Sequence, residues 1–231
     1  MSDLKIDKAE LLDDKQAYIF DMDGTLVNLE ELNFRSYSKT LKEKFGSRLS
    51  GSDYQKYFAG TRTSYAIEKY LIKKSGQNKN DFDTAELTRQ FRAKKGQELK
   101  DNFDANVKLI PGADEYLAEL RSRGKKIGLA TSSITEFMEI IIGNIGFDKY
   151  FEFKIAAEDV VKGKPDPEIY KLAVDKIKAD SREIVVFEDS KSGIEAAKRA
   201  NLLCVGVHTK GLNDDAVSLA DFAIENYYDL L

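Results

Sequence analysis

Six short apolar runs, each closed by polar residues, constrain the fold of this chain more than any other feature. Tyr18-Ile19-Phe20 ends in Asp21, Ile127-Gly128-Leu129-Ala130 in Thr131-Ser132, Phe153-Lys154-Ile155-Ala156 in Ala157-Glu158, and Ile184-Val185-Val186-Phe187 in Glu188-Asp189. Two further runs lie at Leu202 to Val207 and Asp221 to Ile224. They are too short for most helices, and 184–187 is continuously apolar, as a strand buried on both faces should be. Strands of this kind alternating with helices predict an α/β fold around an open parallel sheet.

Amphipathic segments at 113–123, 133–143, 168–179 and 192–200 fill most of the intervals. Ser133 with Glu136 and Ser192 with Glu195 match the capping box, and Asp166-Pro167 matches an N-cap followed by proline at the first helical position. Residues 28–108 break the rhythm. They hold no clear strand candidate but carry 11 of the 24 Phe and Tyr residues, among them Phe34, Tyr37, Tyr54, Tyr57, Phe58, Tyr65, Tyr70 and Phe91 at helical spacing. That is enough apolar surface for a small core of its own, so the segment reads as a helical insertion after the first strand, with its aromatics used for packing. The length of 231 residues suits one main domain plus such an insertion. The expected division is 1–27 with 109–231, and 28–108.

Composition excludes several classes of function. No apolar run approaches the roughly 18 residues that span a bilayer, and the opening MSDLKIDKAELLDDKQ is too polar for a signal peptide. A soluble, cytoplasmic protein is expected. With 36 basic against 40 acidic side chains, and lysine pairs such as Lys73-Lys74, Lys94-Lys95 and Lys125-Lys126 scattered among acids, no basic stripe marks a nucleic-acid surface. A single Cys (Cys204) and a single His (His208) rule out an intramolecular disulfide and multi-His or Cys/His metal sites. Cys204 reads as a buried thiol within its strand and His208 as a structural residue after it. Catalysis would therefore fall to carboxylates, hydroxyls and lysine, and any metal should be a hard one held by oxygen.

Polar groups collect after the strands. Successive runs or their following loops deliver Asp21 and Asp23, Thr131 and Ser132, Lys164, and Glu188 and Asp189. The crevice beyond the carboxyl ends of a parallel sheet is where ligands bind. If the chain stays extended, Asp21 and Asp23 point to the same side. Carboxylates so close to Glu188 and Asp189 would repel one another and an anionic substrate unless a divalent cation sat among them, and an oxygen-only site suits Mg²⁺. The Thr131 hydroxyl, free amides at the start of the 133–143 helix, and Lys164 would complete a site for phosphoryl transfer. Each element also has an ordinary structural use: Asp-Gly in turns, Ser and Thr as helix caps, Lys before Pro in a solvated loop. Their ordered placement at strand ends favours the functional reading.

These residues carry a family resemblance. Asp21-Met22-Asp23-Gly24-Thr25-Leu26-Val27 resembles the first motif of the haloacid dehalogenase superfamily of phosphotransferases. Thr131 resembles the second motif, Lys164 in Lys162-Gly163-Lys164-Pro165-Asp166-Pro167 the third, and Glu188-Asp189-Ser190 with Gly193 the fourth. The resemblance runs from about residue 17 to the end of the chain and is closest to the subgroup holding beta-phosphoglucomutase and small sugar-phosphate phosphatases. It implies a Rossmann-like doubly wound parallel sheet with residues 28–108 as a helical cap that closes over the crevice.

By this resemblance Asp21 is the nucleophile that forms an aspartyl-phosphate, and Asp23 is the acid/base. Mg²⁺ is held by Asp21, the Asp23 backbone carbonyl and Asp189, with Glu188 bound to it or next to it. Thr131, an amide near Ser132, and Lys164 bind the phosphoryl group. In the cap, Gly60-Thr61-Arg62 resembles the segment that supplies a substrate-binding arginine, which makes Arg62 a candidate substrate contact; a solvated charge is its other reading. Two departures from beta-phosphoglucomutase weaken the grip on a second phosphate. Ile134-Thr135 stands where that enzyme has Lys-Asn, and Asn33 where it has a hinge histidine. The expected activity is Mg²⁺-dependent hydrolysis of a small phosphate monoester, with a phosphomutase and a non-catalytic binding module as alternatives. The expected partner is the small-molecule ester, with no nucleic acid, membrane or obligate protein partner.

Overall fold

The computed structural model of the chain describes residues 8–58, 61–74, 76–208 and 214–231. It divides into two compact units, Met1–Val27 with Leu109–Leu231, and Asn28–Lys108. The strands are β1 (Ala17–Phe20), β2 (Val27–Asn28), β3 (Lys108–Leu109), β4 (Lys126–Ala130), β5 (Phe153–Ile155), β6 (Ile184–Glu188), β7 (Leu203–Val207) and β8 (Phe222–Ile224). All six apolar runs are strands of one sheet, ordered β5-β4-β1-β6-β7-β8. Every neighbouring pair in it is parallel. This is a Rossmann-like doubly wound α/β fold. β2 and β3, of two residues each, form a separate two-stranded sheet; they are too short to leave a periodic pattern in the sequence.

The period of two along each strand divides the core into two layers. Ala17 and Ile19 of β1, with Ile184 and Val186 of β6, face Tyr170, Ala173 and Ile177 of the helix Glu168–Ile177 and Ile194 and Ala197 of the helix Lys191–Arg199. Tyr18 and Phe20, with Phe187, face the other way, where Tyr116 of the helix Ala113–Ser122 and Tyr227 complete an aromatic cluster. β1 lies at the switch point, with β4 and β5 to one side and β6 to β8 on the other. The cleft of a doubly wound sheet opens beyond the carboxyl end of the strand in that position.

Helix lengths agree with the sequence pattern to within two residues, but three helix starts differ. The helix after β4 runs Thr135–Asn144, and Ser133 does not cap it. The helix after β6 runs Lys191–Arg199 with Ser190 as its N-cap, its hydroxyl accepting from the Gly193 amide at 3.1 Å. Asp166 accepts the Glu168 amide at 3.1 Å, but the N-cap of the helix Glu168–Ile177 is Pro167, one residue later than the sequence pattern placed it. No helix among the described residues is long and apolar enough to cross a membrane.

The second unit is built from the helices Glu30–Phe45, Gly51–Tyr57, Thr63–Lys73 and Thr84–Asp101. Ser50 and Asp83 cap two of them through their side chains, and Gly46 ends the first at φ 61°. Its core is aromatic: Tyr37, Tyr54, Tyr57, Phe58, Tyr70 and Phe91 are buried with Leu41, Ile67 and Leu71, and Tyr37 stacks on Phe91 at 3.8 Å. Tyr65 departs from the expected packing role, being 60% exposed.

Candidate active site

Strand register brings the first pair of carboxylates together. Phe20 pairs with Phe187, and the Asp21 amide donates to the Phe187 carbonyl at 3.0 Å, so Asp21 and Glu188 leave adjacent strands side by side. Asp21, Glu188 and Asp189 are buried, and each offers a carboxylate oxygen within 4.8 Å of the others.

Lys164 reaches into this group from the loop after β5. Its Nζ lies 2.6 Å from Asp21 Oδ1 and 2.6 Å from Glu188 Oε1, and it donates to the Ala130 carbonyl at 3.1 Å. The ammonium is thus tied to the ends of β1, β4 and β6 at once. Glu168 steadies the approach of this loop, its two oxygens accepting the amides of Val161 and Lys162 at 2.8 and 2.9 Å.

The chain turns sharply after Asp21. Leu26 and Val27 donate to the Met22 carbonyl, and Gly24 donates to Val27. The extended conformation expected through Asp23 therefore stops at Phe20. Asp23 is half-buried and falls outside the carboxylate cluster, although its charge is close enough to raise the pKa of both Asp21 and Asp189.

Gly24 has φ +88°, and a Cβ there would come within 2.0 Å of Asp189 Oδ2. Gly193 has a different reason to be glycine: a Cβ there would lie 1.8 Å from Glu188 Oε1. Gly24→Ala is expected to destabilise the protein by about 2–4 kcal/mol, combining left-handed backbone strain with displacement of a buried side chain. Urea unfolding measures it, and a loss below about 0.5 kcal/mol would show that the turn and Asp189 can rearrange freely.

Several contributors were invisible in the sequence. The Tyr170 hydroxyl donates to Glu188 Oε1 at 2.8 Å, and the Lys164 ammonium lies 5.1 Å from the Tyr170 ring centre. Glu188 Oε2 accepts the amides of Asp189 and Ser190 and the Ser190 hydroxyl. Thr25 donates to Asp189 Oδ1 at 3.4 Å, while its own carbonyl accepts the Tyr227 hydroxyl at 3.1 Å. The helical spacing that puts Tyr170 in the core stripe signals burial, but nothing in it signals a carboxylate partner.

The second motif is organised differently from expectation. Thr131 is buried, with its amide bonded to the Ile155 carbonyl and its hydroxyl accepting the Ser133 amide at 3.1 Å. The Thr135 amide, at the start of the following helix, is taken by Glu158 Oε2 at 3.1 Å. Those two amides are not free, whereas the Ser132 amide has no acceptor among the described residues. Arg62 belongs to the second unit, half-buried at the start of the helix Thr63–Lys73, and Gly60 lies outside the described residues. His208 follows β7 with Nδ1 3.4 Å from Glu225 Oε2, and Cys204 is buried in the strand; neither belongs to the cluster.

The electrostatics show what the cluster lacks. Burial raises the Asp21 carboxyl to about 7, with the Lys164 charge opposing the rise and Glu188 reinforcing it. Asp189 is pushed well above the usual carboxylate range by burial, then by Glu188 and Asp21. Lys164 stays above its ordinary value because Asp21 and Glu188 together outweigh the burial that acts to lower it. With all three carboxylates ionised, the single ammonium leaves two negative charges unbalanced, and all the clustered donors are oxygens. A hard divalent cation fits both the charge and the donor set.

Known proteins resemble this chain in sequence and in fold. The family model described as haloacid dehalogenase-like hydrolase matches residues 18–207. A phosphorylated carbohydrates phosphatase of Thermotoga maritima is 32% identical over 213 residues, covering 90% of this chain and 92% of its own. A phosphoglycolate phosphatase of Yersinia pestis is 30% identical over 220 residues, covering 92% and 90%. The fold is shared with the crystal structure of CbbY from Rhodobacter sphaeroides in complex with phosphate, at a TM-score of 0.82 and 24% identity over 94% of this chain and 96% of that one. With the four motif segments folded to one sheet edge and the family model spanning nearly all of that unit's strands, the chain belongs to the haloacid dehalogenase-like hydrolases.

Proposed function

We propose that the protein is a Mg²⁺-dependent phosphatase that hydrolyses a small phosphate monoester, a sugar phosphate by class, through an aspartyl-phosphate on Asp21. The observation that carries this reading is the buried Asp21 carboxylate at the sheet's switch point, held at 2.6 Å by Lys164 and clustered with Glu188 and Asp189. The relatives named as phosphatases support it.

In this mechanism an Asp21 oxygen attacks phosphorus as the bond to the leaving alcohol breaks, and Asp23 donates the proton that the alcohol needs. Asp23, now a carboxylate, takes a proton from water. That water attacks phosphorus, releasing inorganic phosphate and restoring Asp21. Lys164, Thr131 and an amide near Ser132 hold the oxygens of the transferring group and absorb charge developing on them. Asp21, Asp189 and the Asp23 carbonyl would hold Mg²⁺, which supplies neutralising charge and in-line orientation. Glu188 has five donors on its two oxygens, so its role is to fix Lys164 and the 188–190 turn. Arg62 is assigned to the part of the substrate remote from the reacting phosphate.

Phosphate release from a panel of sugar and other small monophosphates, with and without Mg²⁺, tests the proposal. Hydrolysis should require the ion, and Asp189→Asn should lower it at least about 100-fold at fixed Mg²⁺. Full activity in excess chelator would refute the metal assignment. With beta-glucose 1-phosphate and a bisphosphate primer, isomerisation well in excess of phosphate release would replace the phosphatase with the mutase.

A further inference from the structure

The start of a helix beside a phosphate-transfer site is a natural place for a second anionic group, because its amides and dipole favour negative charge. In this chain the helix Thr135–Asn144 starts five residues beyond the end of β4, and a protein carboxylate already holds its first amide. Glu158 lies on the turn Ala157–Asp159 that follows β5, the strand parallel to β4. Two backbone bonds stitch these neighbouring loops together: the Thr131 amide to the Ile155 carbonyl and the Ala157 amide to the Ser133 carbonyl, both at 2.9 Å. Across this seam Glu158 Oε2 accepts the Thr135 amide at 3.1 Å and faces its hydroxyl at 3.4 Å. Glu158 is exposed, and among the described residues no lysine or arginine forms an ion pair with it, so its carboxylate stands in solvent at the carboxyl edge of the sheet that carries Asp21.

The consequence is electrostatic. A monoester brings its own negative charge to a cluster that needs a divalent cation to be neutral. A second phosphate or a carboxylate placed towards Thr135 would meet Glu158 where an open helix start would have offered amides. Like-charge juxtaposition excludes a ligand more effectively than the loss of an attraction.

We propose that Glu158 is a specificity-determining residue that restricts the enzyme to monophosphates whose remaining part is uncharged, such as a hydroxyl-bearing sugar, and disfavours bisphosphates and phosphorylated carboxylic acids. This rests on the phosphatase reading above.

The test compares kcat/KM for fructose 1-phosphate, fructose 6-phosphate, fructose 1,6-bisphosphate and 2-phosphoglycolate in the parent and in Glu158→Gln. Glutamine keeps an acceptor for the Thr135 amide and removes only the charge. The parent should prefer the better fructose monophosphate over the bisphosphate by at least about tenfold, and Glu158→Gln should cut that preference about fivefold or more. Raising ionic strength should narrow the parent's preference and leave the variant's less affected, a response that a merely structural cap would not give. An unchanged preference in Glu158→Gln, or a change confined to Glu158→Ala, would overturn the proposal, the second outcome pointing to cap geometry rather than charge. Absence of turnover with every ester would instead count against the phosphatase reading. In that case calorimetric binding of the same sugars to Asp21→Asn, with and without Glu158→Gln, reads the preference directly, and equal ratios overturn it.

Discussion

Asp21→Asn is expected to lower turnover by roughly 10⁴-fold or more while the protein remains folded, since loss of a nucleophile in a covalent mechanism leaves only binding and charge stabilisation. Asparagine has nearly the same shape, and at this position it replaces a carboxylate whose ionisation burial opposes. Lys164 would lose one of its 2.6 Å carboxylate partners but keep Glu188 and the Ala130 carbonyl. Thermal unfolding should therefore move by only a few degrees, in contrast to the collapse in rate. Mass spectrometry after a rapid acid quench of the parent should find the added phosphate on Asp21. Label on a Ser or Thr, or a variant retaining more than a small part of the parental rate, would disprove the covalent assignment.

Lys164→Met should damage both activity and stability, because the side chain is buried between two buried carboxylates. Removing one partner of such a network typically costs about 3–5 kcal/mol, most of it from the charges left without compensation. Combining it with Asp21→Asn provides the control. With one of the stranded carboxylates gone, the double variant should recover about 1–3 kcal/mol relative to the sum of the two single effects, whereas strict additivity would mean that Lys164 acts on stability independently of Asp21. Urea unfolding of the four proteins measures this coupling. A loss below about 1 kcal/mol in Lys164→Met would show that water reaches the cluster and that the ammonium is not its chief support.

Side-chain character alone determined the layered core of this protein. Each of the six apolar runs is a strand, and in the central strands β1, β4 and β6 the apolar run lasts until the chain is about to leave the sheet, which put Asp21, Thr131 and Glu188 at strand ends. The aromatic content of residues 28–108 likewise matches a helical unit with its own buried rings. Tertiary structure decided which partners those residues meet. Ser133-Glu136 and Ser192-Glu195 both have capping-box spacing, yet one helix start is bound by Glu158, 23 residues from Thr135 in sequence, and the other by Ser190. A local pattern records only neighbours along the chain, whereas an amide bonds whichever acceptor the packing brings nearest. The same limit hid the glycine requirements at 24 and 193, set by the carboxylates of Asp189 and Glu188, and the hydroxyls of Tyr170 and Tyr227. Sequence alone determined which charges this chain would gather at the carboxyl edge of its sheet; how far each is buried, and what compensates it, depends on distances between elements far apart in the chain, which only folding sets.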